Sequence, residues 1–368
     1  MHLKKLSLLN FKNYEDIELK FNDRINCFVG NNGVGKTNLL DSIHYLSLCK
    51  GYFNAIDSQN ISHAKEFCVI QGEYEKEGSE ENIYCGIQRN KRKQFKRNKK
   101  DYPKLSNHIG LIPLVMVSPS DSNLIQGGGE ERRKFINGVI SQYDRVYLED
   151  ILNYNRILLQ RNKFLKSISG MLNPDLTMFE VYDKQLCEYG KVIFEKRKDF
   201  IEKLVPVFIK FYKDISGEKE NVSLKYRSQL GEDDMKNLLE KNRAKDRIIQ
   251  YTSAGIHRDD LEMMLGDYPL KKTGSQGQQK TYQLALKFAK FDFIRKKSNQ
   301  FPILLLDDVF DKFDSHRVEQ IIRLVAKKKF GQIFITDTDE DRMRKILSEL
   351  KIENRIFKID ENQKIISE

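Results

Sequence analysis

Residues 30–37 of the chain read Gly30-Asn31-Asn32-Gly33-Val34-Gly35-Lys36-Thr37, and this stretch decides the fold. It matches the pattern G-x-x-x-x-G-K-[ST], follows the apolar run Ile25–Val29 and precedes apolar residues at helical spacing over positions 38–48. Because glycines let a backbone bend closely around a ligand, such a loop aims several N–H groups at phosphate oxygens. The order of strand, glycine-rich loop and helix therefore predicts a phosphate-binding loop rather than an ordinary turn.

Two side chains of this loop carry specific chemistry. Lys36 supplies a cation to the β- and γ-phosphates of a nucleoside triphosphate, and Thr37 offers a hydroxyl ligand to Mg²⁺. The helix that follows adds the positive end of its dipole. We therefore expect ATP and Mg²⁺ as cofactors, residues 30–37 as nucleotide contacts, and Lys36 also as a catalytic residue.

A second element lies near the carboxyl end, where the apolar run Ile303–Leu306 leads into Asp307 and Asp308. An apolar strand that ends in an acid places a carboxylate at the carboxyl edge of a sheet, beside a phosphate loop. We expect Asp307 to bind the metal and Asp308 to act in catalysis by polarising the attacking water. Taken alone, the segment fits a buried strand before a helix cap equally well, and the upstream loop favours the functional interpretation.

The two elements are far apart in the chain, which a compact kinase or GTPase rarely shows. The predicted fold is α/β, and the separation resembles that of an ABC-type P-loop ATPase head, which implies a mixed sheet flanked by helices; we also expect an antiparallel β patch over residues 67–102 and an inserted α-helical lobe. Helical spacing over residues 130–166 and 178–203 supports the insertion. We expect residues 1–120 to hold the phosphate loop and a basic hairpin, residues 121–210 to form the lobe, and residues 211–368 to complete the head.

The charge balance favours a polyanionic partner, because 64 Lys and Arg residues against 53 Asp and Glu residues give a net charge of +11. Residues 89–100 are rich in cations and contain no acid. Tyr84, Phe95 and Tyr102 are nearby candidates for stacking on bases. A solvated hairpin face is an equally good interpretation. The candidate DNA contacts are Arg89, Lys91, Arg92, Lys93, Lys96 and Arg97.

Several classes of protein are disfavoured. No apolar run approaches the roughly 18–20 residues that cross a bilayer, and the first ten residues do not fit a signal peptide. The five cysteines are widely spaced and form no C-x-x-C pair, so the sequence indicates neither a disulfide framework nor a structural zinc site. A reducing, cytoplasmic setting without a membrane fits these features best.

Further motifs make a family resemblance specific. The stretch Ser275-Gln276-Gly277-Gln278-Gln279-Lys280 resembles an ABC signature, and residues 310–314 lie where a D-loop is expected. The chain resembles the RecF family of bacterial recombination mediators, in the SMC-like branch of ABC-type ATPases. The matching segments follow the family's order over nearly the whole chain. They include Leu9–Tyr14, Thr37–Asp41, Gln126–Phe135 and Gly255–Leu261.

The resemblance implies a mechanism based on two copies of the chain. In this family ATP lies between two subunits, so Ser275, Gly277 and Gln278 of one copy are expected to contact the nucleotide on the other. The resemblance also implies slow, DNA-stimulated ATP hydrolysis that serves as a switch. Single-stranded DNA and gapped duplex, with their junctions, are the expected partners, together with mediators of the RecO and RecR type. Recombinase loading, DNA repair, replication and the SOS response are the implied roles.

The sequence departs from ABC transporters at two places. Asp337 occupies the place of the switch histidine, which puts γ-phosphate sensing there in doubt. Asp308 stands where transporters use glutamate, and the shorter acid predicts slow hydrolysis. Gln126 is a weak candidate for the metal-contacting glutamine, and residues 257–260 (His-Arg-Asp-Asp) fit an ion-paired turn by default.

Two other functions stay open from the sequence. A transporter ATPase subunit would carry the switch histidine and a clear Q-loop, and no basic hairpin. An SMC-type structural head that tethers DNA would carry a coiled-coil arm much longer than the insertion expected here.

Overall fold

The computed structural model describes residues 1–171, 175–217, 220–310, 315–326, 330–351 and 353–367. The strands are β1 (His2–Phe11), β2 (Tyr14–Lys20), β3 (Ile25–Val29), β4 (Phe67–Lys76), β5 (Ser79–Gln88), β6 (Gln94–Arg97), β7 (Lys100–Asp101), β8 (Leu114–Val117), β9 (Val222–Arg227), β10 (Asp260–Leu265), β11 (Tyr268–Pro269), β12 (Ile303–Leu306), β13 (Ile333–Asp337), β14 (Asn354–Ile359) and β15 (Ile365–Ser367). The helices are α1 (Lys36–Leu48), α2 (Asn123–Gln126), α3 (Gly129–Ile140), α4 (Arg145–Ser167), α5 (Thr177–Ser216), α6 (Met235–Ile249), α7 (Leu270–Thr273), α8 (Gln276–Ser298), α9 (Ser315–Ala326) and α10 (Glu340–Leu350).

The chain divides into two compact units. The first unit combines residues 1–121 with residues 290–368, and the second comprises residues 122–289. The second unit thus extends well past position 210, the limit that the sequence analysis set for the helical lobe. The difference has a physical cause, because α5 continues to Ser216 and the strands after it pack against that helix, as the stacked rings of Phe194 and Tyr226 show.

A mostly parallel sheet of order β15-β14-β3-β13-β12-β8 forms one layer of the first unit. Strands β14, β3, β13, β12 and β8 run parallel, and β3, β13, β12 and β8 are buried along their whole length. Such continuous burial is typical of parallel strands covered on both faces. The carboxyl ends of β3, β13 and β12 therefore meet at one edge of the sheet.

An antiparallel sheet of order β2-β1-β4-β5-β6-β7 forms the other layer of this unit. Its strands alternate buried and more exposed residues, as half-buried strands do. Helix α1 and the inward side chains of both sheets share one hydrophobic core, which includes Leu6, Ile43, Ile70 and Phe334. The antiparallel patch predicted over residues 67–102 is present and is extended by β1 and β2.

The second unit is built on the long antiparallel pair α4 and α5, together with α3, α6 and a small sheet of order β11-β10-β9. The helical spacing over residues 130–166 falls on two helices instead of one. Asp144 separates them, because its side chain accepts a hydrogen bond from the Tyr147 N–H at 2.8 Å and caps α4. The predicted fold class, a mixed sheet flanked by helices with an antiparallel patch and a helical insertion, is confirmed.

Buried ion pairs join the helices of the second unit. The fully buried Arg161 donates from Nε to Asp183 Oδ1 at 2.7 Å and from Nη1 to Asp246 Oδ2 at 2.8 Å. A third bond joins Nη1 to Thr252 Oγ1 at 2.9 Å. These contacts connect α4, α5 and α6, so the loss of one partner leaves buried charge without compensation.

We expect Arg161→Ala to lower the free energy of unfolding by about 3–5 kcal/mol, since buried Asp246 would lose its cation and Asp183 would keep only its pair with Arg243. Urea denaturation followed by circular dichroism measures this change. Lys163→Ala removes an exposed cation two residues away and should change the free energy of unfolding by less than about 0.5 kcal/mol. Equal stability of the two variants would show that the buried pairs contribute nothing.

Candidate nucleotide-binding site

The phosphate loop has a backbone that only glycine fits at two positions. Gly30 and Gly35 have φ of 151° and 114°, within the range that side chains disfavour. A Cβ at Gly30 would lie 2.4 Å from the Ile359 carbonyl oxygen, and one at Gly35 would lie 2.4 Å from Asn13 Nδ2. The pattern of glycines that predicted this loop therefore corresponds to close packing around it.

The side chain of Lys36 lies inside the phosphate loop. This side chain is almost fully buried, and Nζ donates to the carbonyl oxygens of Gly30 at 2.8 Å and Asn31 at 2.9 Å. Burial lowers the pKa of Lys36, while the charges of nearby Asp308 and Asp307 oppose that effect. The loop thus holds the Lys36 ammonium close to the backbone N–H groups that would face phosphate.

The structure brings together Thr37 and Asp307, which are 270 residues apart in the sequence. Thr37 Oγ1 donates to Asp307 Oδ1 at 2.8 Å. A hydroxyl and a carboxylate are the hard oxygen ligands that Mg²⁺ prefers, usually with waters and substrate phosphates completing the shell. Within the described residues, no three His, Cys, Asp or Glu side chains gather into a protein-only metal site. Thr37 and Asp307 therefore fit a magnesium ion that is bound together with nucleotide.

Asp307 is buried, and this raises its pKa to about 6. The neighbouring charge of Asp308 adds to the increase, whereas the hydrogen bonds from Thr37 and Thr336 and the charge of Lys36 oppose it. A carboxylate in such surroundings gains strongly from a bound cation, because the cation replaces the hydration that burial removes.

Thr336 joins the two acids, a role that the sequence analysis did not assign. Its Oγ1 lies 3.0 Å from Asp307 Oδ1 and accepts a hydrogen bond from the Asp308 N–H at 2.8 Å. Asp308 has φ of 46°, in the left-handed region where Asp is tolerated better than most residues. A left-handed backbone that is held by its surroundings is frequent at functional sites. Here it turns the chain immediately after Asp307, the expected metal ligand.

The β1–β2 hairpin braces the loop, and this contact was also missed from the sequence. Asn13 Nδ2 donates to the Val34 carbonyl oxygen at 3.1 Å, and Asn38 Nδ2 donates to Asn13 Oδ1 at 2.7 Å. Beside it, Lys12 forms an ion pair with the fully buried Asp41. The segment Leu9–Tyr14 carries part of the family resemblance, and its Asn13 side chain contacts the loop.

Asp337 lies at the carboxyl end of β13, the position of the switch histidine in ABC transporters. It is nearly buried, and Arg342 Nη2 donates to Oδ1 at 2.7 Å and to Oδ2 at 2.8 Å. The Asp339 N–H adds a third bond at 2.8 Å. The guanidinium therefore neutralises an acid that lies close enough to influence Lys36. A carboxylate next to a phosphate site needs such compensation.

The signature segment lies in the second unit and caps a helix. The Ser275 N–H donates to Gln278 Oε1 at 2.6 Å, and Ser275 Oγ accepts from the Gln278 N–H at 3.2 Å. This reciprocal pair is a capping box for α8, and Ser275 is exposed. Gln278 Nε2 also donates to Glu220 Oε1 at 2.7 Å. The segment is thus an ordered helix start as well as a candidate nucleotide contact, with Gly277 in its first turn.

The basic hairpin divides into buried and exposed cations. Lys93 donates to Asp57 Oδ1 at 3.1 Å and to the Cys49 carbonyl oxygen at 2.6 Å, and Arg97 forms an ion pair with Glu81. The Lys93 side chain is therefore largely buried, whereas the Arg97 side chain stays 41% exposed in its ion pair. Arg89 Nε donates to a backbone carbonyl oxygen. Among the described residues, the hairpin cations without a hydrogen-bond or ion-pair partner for the side chain are Lys91, Arg92, Lys96, Lys99 and Lys100.

Two of the expected stacking groups are less suitable than the sequence suggested. Phe95 was wrong as a candidate, because the ring is only 3% exposed and packs in the core beside His108. Tyr102 is half-buried, and its hydroxyl lies 2.9 Å from His108 Nδ1. Tyr84 is the candidate whose ring lies on the outer face of the sheet.

The remaining motif residues have structural contacts. Asp259 binds the buried Arg197 Nη1 at 2.6 Å, and Asp260 binds Arg132 Nε at 2.5 Å, so residues 257–260 take part in an ion-paired turn. Gln126 Nε2 donates to Gln279 Oε1 at 2.6 Å within the second unit. The expected D-loop, apart from Phe310, lies outside the described residues.

Comparison with known proteins identifies the family. A family model described as RecF/RecN/SMC N terminal domain matches residues 2–364. A protein of Parabacteroides distasonis named DNA replication and repair protein RecF is 52% identical over 363 residues, covering 99% of this chain and 98% of that protein. The chain belongs to the RecF family. A RecF of Flavobacterium johnsoniae is 47% identical, covering 98% of this chain and 100% of that protein.

Solved structures agree with membership in the RecF family. A structure described as the recombination mediator protein RecF-ATP in the RecFOR pathway superposes with a TM-score of 0.89 at 29% identity, covering 100% of this chain and 97% of that chain. An SMC head bound to the C-winged helix domain of ScpA has a TM-score of 0.60 at 16% identity, covering 100% and 98%, and shows the shared fold alone. Among the described residues, no helix has both the length and the apolar character that a membrane span requires.

We expect Arg342→Ala to weaken ATP binding about tenfold, because Asp337 would keep an uncompensated charge near the phosphates and Lys36. The double variant Arg342→Ala with Asp337→Asn should recover most of the affinity, since the unpaired charge is gone. Titration calorimetry with ATP measures both.

Arg344→Ala serves as the control, because Arg344 pairs with Glu340 on the same helix and should leave ATP affinity unchanged. A double variant as weak as Arg342→Ala would contradict charge compensation as the role of Arg342.

Proposed function

We propose that this chain is an ATP-dependent DNA-binding protein that dimerises on ATP and acts at gaps and single-strand/double-strand junctions during DNA repair and replication. The contact of Thr37 with Asp307 carries this proposal, since it joins the hydroxyl and carboxylate of a nucleotide–magnesium site. The names of the relatives and the ATP-bound structure of a RecF protein support it.

The separation of the nucleotide motifs into two units supports a dimer. Lys36, Thr37 and Asp307 belong to the first unit, and the capped signature at Ser275 belongs to the second. A helix amino terminus carries a partial positive charge and suits the γ-phosphate of a nucleotide held by a second copy. In this mechanism ATP closes two heads over DNA.

Hydrolysis then releases the two heads. Asp308 follows the metal acid and would polarise the attacking water, while Lys36 would stabilise charge on the transferred phosphoryl group. Asp308 is shorter than the glutamate of transporters and is fixed by a left-handed backbone, which supports slow turnover and a timing role. The bound Mg²⁺ would supply charge neutralisation at the phosphates.

Membership in the RecF family supports the proposed cellular role. The solved relative belongs to the RecFOR pathway, which supports partners of the RecO and RecR type and a part in recombinase loading and the SOS response. The exposed cations of the basic hairpin support contact with DNA phosphates. A cytoplasmic location is consistent with these partners.

Sedimentation with and without ATP and a gapped duplex tests the dimer. We expect the wild-type chain to sediment as a dimer with both, and Lys36→Ala to remain a monomer because it lacks the phosphate contact. Asp308→Asn should bind ATP tightly and stay dimeric, since the release step is blocked. A wild-type chain that stays monomeric with saturating ATP and DNA would refute the proposal, and wild-type hydrolysis by Asp308→Asn would show that another acid is catalytic.

Reversal of the charges of Lys91 and Arg92 to Glu should weaken duplex DNA binding at least tenfold and flatten its salt dependence, because fewer counterions are released. Fluorescence anisotropy at several salt concentrations measures the slope. The pair Lys20→Glu and Lys345→Glu gives the same change of net charge at other exposed positions of the first unit and should retain the wild-type slope. An unaltered slope in the hairpin variant would leave the hairpin as a solvated surface.

A further inference from the structure

A groove with a volume of about 590 Å³ lies on the outer face of the antiparallel sheet. Gln71, Tyr84 and Lys96 line it and are directly opposite one another on β4, β5 and β6. The alternate residues of these strands, such as Ile70 and Cys85, are buried in the core, so the groove is on the other face. Its volume is within the range of small-molecule sites.

The floor of the groove is an aromatic ring supported by a glycine. A Cβ at Gly86 would lie 2.9 Å from the Tyr84 hydroxyl and 3.3 Å from ring atom Cε1. The ring of Tyr84 therefore extends along the sheet over Gly86 instead of standing away from it. A side chain at position 86 would displace the ring. The sheet thus presents a flat aromatic surface in a fixed position.

Two cations stand at the groove. Lys96 Nζ is 5.7 Å from the centre of the Tyr84 ring, and Lys99 is exposed at the tip of the β6–β7 hairpin. Neither ammonium has an ion-pair partner in the part of the chain that the structure describes. Asn98 and Lys99 both have positive φ, and Asn98 Nδ2 donates to Glu81 Oε2 at 2.9 Å. The hairpin is a tight, anchored turn that holds these charges in place.

Two side-chain amides complete the lining of the groove. Gln71 and Asn82 both line the groove, and neither side-chain amide has a hydrogen-bond partner among the described residues. An amide can both donate and accept, so these two groups can bind the edge of any base. The groove therefore combines a stacking surface, cations and adaptable polar groups.

This combination favours one occupant. Base stacking on an aromatic ring needs a free base face, which a paired duplex does not offer in its interior. Ammonium groups beside the ring attract the adjoining phosphates. We propose that the groove binds an unpaired nucleotide of single-stranded DNA, with its base on Tyr84 and its phosphates at Lys96 and Lys99. The proposal rests on the proposed DNA-binding function and narrows it to a single-strand contact on this sheet.

The test measures affinity of the full-length chain for a 20-nucleotide oligo-dT and for a blunt duplex of equal length by fluorescence anisotropy. Tyr84→Ala should bind oligo-dT about tenfold more weakly and the duplex unchanged, because only the stacking surface is lost. Tyr84→Phe should bind both as the wild type does. A 5-iodouracil oligonucleotide should photocrosslink to the peptide that contains Tyr84.

Tyr268→Ala is the matched control, since Tyr268 is an exposed tyrosine of the second unit and should leave both affinities unchanged. Unchanged ATP affinity in Tyr84→Ala verifies that the first unit is folded. Equal loss for oligo-dT and duplex, no loss for either, or competition by free dTMP as effective as by oligo-dT would each overturn the proposal. A wild-type chain that binds neither DNA would instead refute the proposed DNA-binding function.

Discussion

The hydrogen bond between Thr37 and Asp307 is the constraint on which the first unit depends. It joins residues from opposite ends of the chain, and it forms because β3, β13 and β12 are parallel and end at the same edge of one sheet. Parallel strands need long crossover connections, so chain inserted between β8 and β12 leaves this edge in place. The long intervening sequence can therefore build a second unit while the two halves of the site stay in register.

Two kinds of charged cluster occur in the protein. In the second unit, buried guanidinium groups such as those of Arg161 and Arg197 are matched by carboxylates at hydrogen-bonding distance. In the first unit, Asp307 and Asp308 share a threonine and lie near a single buried lysine. The first arrangement is satisfied within the protein, whereas the second gains from added cationic charge. This difference separates structural ion pairs from a site that binds a ligand.

The parts of the fold that were predictable from the sequence are those with a local pattern. The glycine loop and the strand before Asp307 both depend on neighbouring residues, and the structure has each of them. Thr336 was not predictable as a site residue, because its contacts with Asp307 and Asp308 depend on the pairing of β12 with β13. Arg342 lies only five residues from Asp337, and its role depends on where the end of β13 lies relative to the phosphate loop. Phe95 was misjudged although strand alternation places it on the core face.

The limits of the two units also depend on contacts between residues that are far apart in the sequence. Helical spacing located α5, but spacing alone does not show that β9 packs on that helix and that β10 pairs with β9. Contacts such as that of Arg197 with Asp259 decide the grouping, and they join residues far apart in the sequence. The end of the helical spacing, from which the limit at position 210 was set, therefore does not show where a compact unit ends.

The two carbonyl contacts of Lys36 have a consequence for ligand entry. Since the ammonium binds Gly30 and Asn31, the loop keeps its curvature through its own side chain. Much of the conformational entropy of the glycines is then lost during folding, and little remains to be lost when an anion arrives. When a phosphate binds, its oxygens can replace the two carbonyl oxygens as hydrogen-bond acceptors of the Lys36 ammonium, which need not move. The pocket is therefore formed before the ligand binds.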